Sequence, residues 1–210
     1  DYAYVIGDFN DWKISNTYKM KRDDNTGCWW YTLTGLESGK EYAFQYYVGT
    51  SADGAIRIAD PYTEKVLDPY NDKYIPASTY PGLPEYPSKT SGIVSTFRTI
   101  MKTNIGNGFY QVQDKHNLII YEMLFRDFTE TGDINGAIAK LDYLKGLGVN
   151  AIEIMPVQEF DGNDSWGYNQ CFFFAMDKAY GTKEMYHRFI DECHKRDMAV
   201  ILDVVYNHAT

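Results

Sequence analysis

The sequence predicts an immunoglobulin-like β-sandwich followed by the first three β-strands and two helices of a (β/α)8 TIM barrel. Residues 1–70 carry short aromatic and β-branched runs that are broken by turn residues, which is typical of a small antiparallel sheet. Residues 118–210 instead alternate apolar, strand-like runs with helical spacing. Residues 71–117, where prolines cluster, are expected to form a connector rather than a packed domain.

The composition is that of a folded globular chain. Of the 210 residues, 44% are apolar and 23% are charged, which is close to the globular average. The net charge of −9 repels phosphate backbones, so we expect no nucleic-acid partner. The longest apolar run, Cys171 to Met176, is much shorter than the roughly 18 residues of a membrane-spanning helix, so no such segment is expected. Three cysteines without a pairing pattern leave the localisation unknown.

In residues 1–70, two runs have the composition of strands: Trp29 to Leu33 and Tyr42 to Val48. Turn signals separate such runs at residues 7–11, 23–27, 37–40 and 52–54. A domain this small needs large aromatic side chains to fill its core. We therefore expect Trp12, Trp29 and Trp30 to be core residues rather than a sugar-binding platform.

The second half of the chain is predicted to contain a parallel sheet. Its strands are expected at Leu118–Phe125, Val149–Met155 and Met198–Val205. One helix is expected around residues 134–144, and a second after the N-cap Thr182, following a long loop from Pro156. Apolar strands joined by helices fit either an open doubly wound sheet or a β/α barrel, and periodicity does not distinguish them.

Two further features favour the barrel. The first strand is followed by Arg126-Asp127-Phe128-Thr129, and no glycine-rich phosphate-binding motif occurs. Polar and aromatic residues gather beyond the strand ends, where β/α barrels have their active face. These residues are Glu159, Trp166, Tyr168, Asn169, Asn207 and His208.

The segment Asp203-Val204-Val205-Tyr206-Asn207-His208 resembles the first conserved region of the α-amylase superfamily, glycoside hydrolase family 13. Other segments are similar to the same family in the same order: residues 144–157, 165–169, 180–182 and 193–196. Residues 5–12, 27–29, 39–42 and 59–62 resemble the family 48 carbohydrate-binding module that precedes the barrel in pullulanases, isoamylases, branching enzymes and trehalohydrolases.

This resemblance implies an α-glucan-active enzyme without an organic cofactor. It would cleave α-1,4 or α-1,6 glucosidic bonds, or both, in starch, glycogen or pullulan, with retention. The ending Tyr206-Asn207-His208 favours a hydrolase of the pullulanase, isoamylase or α-amylase kind. The alternatives are a glucan branching enzyme, a trehalohydrolase and, from another class, a non-catalytic glucan-binding protein.

The resemblance also implies roles for individual residues. Tyr168 is expected to lie under the sugar ring at the cleaved bond, and His208 to hydrogen-bond the hydroxymethyl group of that sugar. Asp203 lies in an apolar strand, so its carboxylate needs a partner, which we expect to be an Arg or an amide beyond this chain. The resemblance implies that Asp203 orients an Arg that organises the catalytic carboxylates. Asn207 corresponds to a calcium ligand of many α-amylases, which makes calcium a candidate ion.

The catalytic carboxylates are not assigned to this chain. Retaining glycosidases need a nucleophile and an acid/base carboxylate about 5 Å apart. In the family that it resembles, the Asp nucleophile, the Glu acid and a further Asp follow the fourth, fifth and seventh strands, whereas three strands are predicted here. We therefore expect the chain to be part of a longer enzyme and to be inactive alone.

Overall fold

The chain divides into two compact units. A computed structural model describes residues 1–99 and 110–210. The N-terminal unit comprises Asp1–Tyr70 and the segment from Pro84 to Thr99, and the C-terminal unit comprises Asn71–Leu83 and residues 110–210. Within the described part of the chain, no helix is long and apolar enough to cross a membrane.

The N-terminal unit is built on a five-stranded antiparallel sheet. Its strands are β1 (Tyr2–Gly7), β4 (Glu41–Thr50), β5 (Gly54–Ile58), β6 (Val66–Leu67) and β7 (Val94–Arg98); β2 (Lys21–Arg22) and β3 (Trp29–Trp30) form a separate ribbon. The sheet order is β1-β4-β7-β6, and β5 also pairs with β4. Short 3-10 turns lie at Asp8–Asn10 and Asn16–Tyr18.

Strand β7 lies inside the segment that was expected to be a connector. It pairs with β4 from Glu41↔Arg98 to Phe44↔Ser95, and Val94 and Ser95 are fully buried. The prolines clustered before residue 88 made the whole stretch look like a connector. Val94 to Arg98 lie after the last of these prolines and can join the sheet. The expected connector is therefore wrong for this stretch.

The three tryptophans occupy different environments. Trp12 is buried, and its indole Nε1 donates to Asp8 Oδ1 at 3.0 Å, as expected of a core residue. Trp29 is half-buried, whereas Trp30 is 49% exposed beneath the Lys21 ammonium. Trp30 is thus not a core residue, because adjacent positions of a strand point to opposite faces.

The C-terminal unit is built around a three-stranded parallel sheet. Its strands are β8 (Ile120–Met123), β9 (Ala151–Ile154) and β12 (Ala199–Leu202), with β9 in the centre. An antiparallel hairpin is formed by β10 (Gln158–Phe160) and β11 (Gln170–Met176), and a 3-10 turn lies at Asp72–Tyr74. The helices are α1 (Phe125–Phe128), α2 (Ile134–Ala139), α3 (Leu141–Gly146) and α4 (Lys183–His194).

Several predictions for this unit need correction. The single helix expected around residues 134–144 is interrupted at Lys140, which has φ −104° and ψ 0°, although its apolar stripe stays buried. Together with α1 and α4, this gives four α-helical segments in the described part of the unit instead of the two expected. The loop expected after Pro156 contains the β10–β11 hairpin, because the apolar run Cys171 to Met176 is a strand. The three parallel strands are each about four residues long, shorter than expected.

The core of the C-terminal unit lies between the helices and one face of the parallel sheet. Ile152, Ile154 and Met123 from the sheet pack with Phe189 of α4 in one buried cluster. Thr182 caps α4 as predicted, since its side chain accepts from the Met185 amide at 3.3 Å. This packing fixes the direction of the strands, and therefore the edge at which their carboxyl ends meet.

Candidate active site

The candidate site lies at the carboxyl edge of the three-stranded parallel sheet. Neighbouring strands stay paired up to this edge, where the Met155 amide bonds to the Met123 carbonyl and the Asp203 amide to the Ile154 carbonyl, both at 3.0 Å. Asp203 is the first residue beyond β12 and is half-buried. It was expected inside the strand; the strand is shorter, so its carboxylate lies at the rim.

Tyr168 reaches this edge from the loop that joins β10 to β11. The preceding Gly167 has φ +88°, and a Cβ there would lie 2.5 Å from the carbonyl oxygen of Pro156. Only glycine fits such a close approach in the left-handed region. The Gly167 amide also donates to Ser165 Oγ at 3.0 Å. The close approach to Pro156 places the loop next to the end of β9, and the bond to Ser165 stabilises the loop itself.

The hydroxyl of Tyr168 donates to Oδ2 of Asp203 at 2.5 Å. This hydrogen bond, together with burial and the Asp203 charge, raises the pKa of Tyr168 to about 12. The tyrosine is therefore neutral at physiological pH, and its ring is held at one end by the carboxylate. The partner expected for Asp203 was an Arg or an amide beyond this chain; within the described residues its side-chain partner is Tyr168.

His208 lies beside the same tyrosine. Its Nε2 is 2.8 Å from the backbone oxygen of Tyr168, and its Nδ1 is 3.2 Å from Oδ1 of Asn207. The ring is exposed, so Nδ1 can exchange its contact with Asn207 for a ligand while Nε2 stays on the Tyr168 oxygen. The structure thus brings together Tyr168, Asp203 and His208, the three residues predicted to serve the substrate.

Residues 104–210 match the family described as "Alpha amylase, catalytic domain". The chain belongs to the α-amylase family. Its curated relatives include the malto-oligosyltrehalose trehalohydrolase of Saccharolobus solfataricus, 35% identical over 192 residues, which are 91% of this chain and 29% of that protein. A 1,4-alpha-glucan branching enzyme of Clostridium perfringens is 27% identical over 205 residues, 98% of this chain and 29% of that protein.

Among solved structures, the fold is similar to that of a pullulanase from Group B Streptococcus. The TM-score is 0.72 at 22% identity, and the match covers 100% of this chain and 31% of that one. This α-amylase family chain spans 29% of the length of both curated relatives named above.

The residues around Asn207 do not fit a calcium ion. Asn207 is exposed, and its amide oxygen contacts the His208 ring. In residues 1–99 and 110–210, no group of three or more His, Cys, Asp or Glu side chains is arranged to hold a metal. Since calcium takes about 6 to 8 oxygen ligands, we assign no step in this α-amylase family chain to calcium.

Glu159 had been grouped with the site by its sequence position, but it is buried at the base of the hairpin. It forms an ion pair with the buried Lys178, whose ammonium also lies 3.3 Å from Asp72. Burial alone would lower the pKa of Lys178, but the charges of Glu159 and Asp72 outweigh it and raise that pKa. Glu159 is therefore part of a buried ionic cluster rather than a site residue. Trp166 was also expected at this edge, and its side chain is 62% exposed.

Two residues that support the site were not predicted. Arg126 of α1 contacts the carboxylate of Asp164 at 2.5 Å and the carbonyl of Ser165 at 3.3 Å, which anchors the loop that carries Tyr168. Gln170, the first residue of β11, donates from its side chain to the carbonyls of Val205 and His208. Both contacts join residues at least 35 positions apart, and no local pattern signals them.

Proposed function

We propose that the whole protein is a retaining glycosidase that cleaves α-1,4 or α-1,6 glucosidic bonds, or both, in starch, glycogen or pullulan. This chain supplies contacts to the sugar at the cleaved bond, and no organic cofactor takes part. The observation that supports the proposal most is the convergence of Tyr168, Asp203 and His208 at the carboxyl edge of the sheet in an α-amylase family chain.

The proposed roles follow from the chemistry of these side chains. The Tyr168 ring packs against the apolar C–H face of a pyranose, and Asp203 holds its hydroxyl so that the ring keeps one orientation. With its Nε2–H on the Tyr168 carbonyl, neutral His208 offers Nδ1 as an acceptor, which suits the hydroxyl of a sugar hydroxymethyl group. Together these residues bind and orient the sugar without transferring a proton in the bond-breaking step.

The bond-breaking carboxylates are proposed to lie in parts of the whole protein outside this chain. Retention needs a nucleophile and an acid/base group about 5 Å apart. The resemblance to glycoside hydrolase family 13 implies an Asp, a Glu and a second Asp after the fourth, fifth and seventh strands. Residues 1–210 alone are accordingly expected to show no glucanase activity.

The proposed architecture is a carbohydrate-binding-module-like, immunoglobulin-like sandwich followed by three strands of a TIM barrel. For the sandwich, the support is the five-stranded antiparallel sheet and the β2–β3 ribbon. For the barrel, the support is the parallel sheet β8-β9-β12, whose strands lie side by side in the order in which they follow one another along the chain. The proposed sandwich includes β7 in addition to residues 1–70.

A second candidate activity is the release of trehalose from malto-oligosyltrehalose. It is favoured by the 35% identity to the trehalohydrolase of Saccharolobus solfataricus, which extends over 91% of this chain. Glucan branching is supported less, since the branching enzyme of Clostridium perfringens is 27% identical. All of these activities would use the same sugar contacts.

The decisive experiment assays the whole protein on amylose, pullulan and malto-oligosyltrehalose. New reducing ends, a change of iodine stain and free trehalose distinguish hydrolysis, branching and trehalose release. NMR detection of the α-anomer as the first product would support retention. Binding of amylose without any product from the three substrates would overturn the enzyme proposal in favour of a glucan-binding protein.

A further inference from the structure

A buried glutamine connects the hairpin to the segment that carries Asn207 and His208. Gln170 is 1% exposed, and its side-chain amide donates to the backbone oxygens of Val205 and His208, the latter at 3.4 Å. One amide nitrogen thus lies within hydrogen-bonding reach of two carbonyls in a short stretch of backbone. Gln170 lies two residues after Tyr168, at the start of β11, so the same hairpin carries the tyrosine and contacts the backbone of His208.

The segment from residue 203 to residue 210 is held to the hairpin by a few contacts besides those of the Gln170 side chain: the Tyr206 ring packs against Phe173, and its hydroxyl accepts from Gln158 at 3.4 Å. The segment follows β12 without regular secondary structure, and its last five residues are exposed. Its backbone-directed hydrogen bonds to the hairpin, apart from those of the Gln170 side chain, include one from the Thr210 amide to the Gln170 carbonyl at 3.2 Å and one from the Thr210 hydroxyl to the Asn169 carbonyl at 2.8 Å. Because an exposed segment gains little from burial, hydrogen bonds decide where His208 lies.

Gln170 does this at a cost in stability. Its Oε1 atom is buried and has no hydrogen-bond partner among the described residues. An unsatisfied buried acceptor destabilises a fold, whereas an apolar side chain of the same size avoids this penalty. Stability alone therefore does not explain why a glutamine occupies position 170. What an apolar residue could not supply there is the hydrogen bonds that the amide donates.

We propose that Gln170 is a positioning residue for the sugar-binding site and acts through His208. This inference rests on the proposed function, because His208 has a role only if the site takes a sugar. By holding the carbonyls of Val205 and His208, Gln170 keeps the imidazole against the backbone oxygen of Tyr168. The tyrosine platform and the histidine then face the sugar as one preorganised pair.

The test compares two buried glutamines in the whole protein. Gln170→Met removes the donors at similar volume and is expected to lower kcat/KM on amylose about 10- to 100-fold, mainly through kcat, since small displacements at reacting groups have effects of that order. Gln45→Met is the matched control. Gln45 is fully buried in the N-terminal unit and donates to the carbonyls of Ser91 and Ile93 at 2.9 and 2.8 Å. The Gln45→Met protein is expected to have lower thermal stability and an unchanged kcat/KM on amylose.

A double-mutant cycle separates positioning from a general structural role. If Gln170 acts through His208, adding Gln170→Met to His208→Ala has almost no further effect on kcat/KM. Independent, additive losses would overturn the proposal. Should Gln170→Met fail to fold, Gln170→Asn keeps an amide that is one methylene shorter, and it is expected to show the same non-additive loss.

A readout that is independent of activity makes the two proposals distinguishable. In whole protein labelled with ¹⁵N-histidine, with His208→Ala identifying the signal, His208 is expected to be protonated at Nε2, because Nε2 faces the Tyr168 carbonyl oxygen. Nδ1 of the neutral ring is then an acceptor, so the Asn207 amide presents its nitrogen rather than its oxygen to it. In Gln170→Met the signal should move towards the mixed tautomers of free histidine; an unchanged signal overturns the positioning role. If wild-type protein cleaves no α-glucan but the signal still moves, the proposed function fails and the positioning of His208 stands.

Discussion

Tyr168 and Asp203, 35 residues apart, are joined by a hydrogen bond from the tyrosine hydroxyl to the carboxylate Oδ2. One residue lies on a hairpin loop and the other at the end of a parallel strand, so the bond links two elements that follow neighbouring strands of the sheet. It fixes the free end of the ring, while the His208 imidazole lies at the backbone end. Tyr168 is thus held at its hydroxyl and at its backbone oxygen.

The first prediction concerns the stacking surface. Tyr168→Ala in the whole protein is expected to weaken transition-state binding by about 1–3 kcal/mol, by analogy with aromatic platforms under nucleic-acid bases. Tyr168→Phe is the control, because it keeps the ring and loses only the hydroxyl bond to Asp203, so its kcat/KM should fall less. Unchanged kcat/KM in the alanine variant, together with lower thermal stability, would show that Tyr168 is only a packing residue.

The second prediction concerns the Asp203 charge and the ionisation of Tyr168. Because the hydrogen bond to Asp203, burial and the Asp203 charge together raise the tyrosine pKa to about 12, Asp203→Asn should lower it part of the way towards the ordinary value near 10. Absorbance titration of phenolate measures this, with Tyr168→Phe identifying the signal. In linkage terms, the neutral tyrosine stabilises the wild type fully below about pH 10, and that contribution is lost between about pH 10 and 12. A Tyr168 titration unaffected by Asp203→Asn would contradict the assigned cause.

Features that depend on residues close together in the chain could be predicted from the sequence, whereas long-range contacts could not. The Thr182 cap was predictable, because its bond to the Met185 amide spans three residues. Tyr168 and His208 were identified through short motifs that resemble a known family. The partner of Asp203 and the contacts of Gln170 were not predictable, since their partners lie 35 or more residues away and are brought together by the hairpin. Strand β7 and the hairpin itself were missed where prolines or a long interval between elements masked short strands.

The third prediction concerns the loop that delivers Tyr168. Gly167→Ala is expected to destabilise the protein and reduce kcat/KM, because its Cβ would collide with the Pro156 carbonyl at φ +88°; strain of this kind costs about 1–3 kcal/mol. The matched control is Gly162→Ala, in the same loop at φ +79°, where a Cβ meets nothing within 4 Å. Thermal midpoints and kcat/KM should both fall further for Gly167→Ala. Equal effects at the two glycines would show that the approach to Pro156 is unimportant.

The last prediction concerns the buried ion pair at the base of the hairpin. Lys178→Met leaves the carboxylates of Glu159 and Asp72 without their shared cation, and losing one partner of a buried pair costs about 3–5 kcal/mol. Lys195→Met is the surface control; its partner is Glu192, its side chain is 67% exposed, and its midpoint should stay within error.

Adding Glu159→Gln to Lys178→Met should recover part of the lost thermal stability, because it removes the charge of the buried Glu159 carboxylate that has lost its ammonium partner. Recovery would show that the loss arises from electrostatics. A double variant no more stable than Lys178→Met would instead assign the loss to packing of the lysine side chain. Because the hairpin carries Tyr168 and Gln170, the recovered variant should also regain part of its kcat/KM.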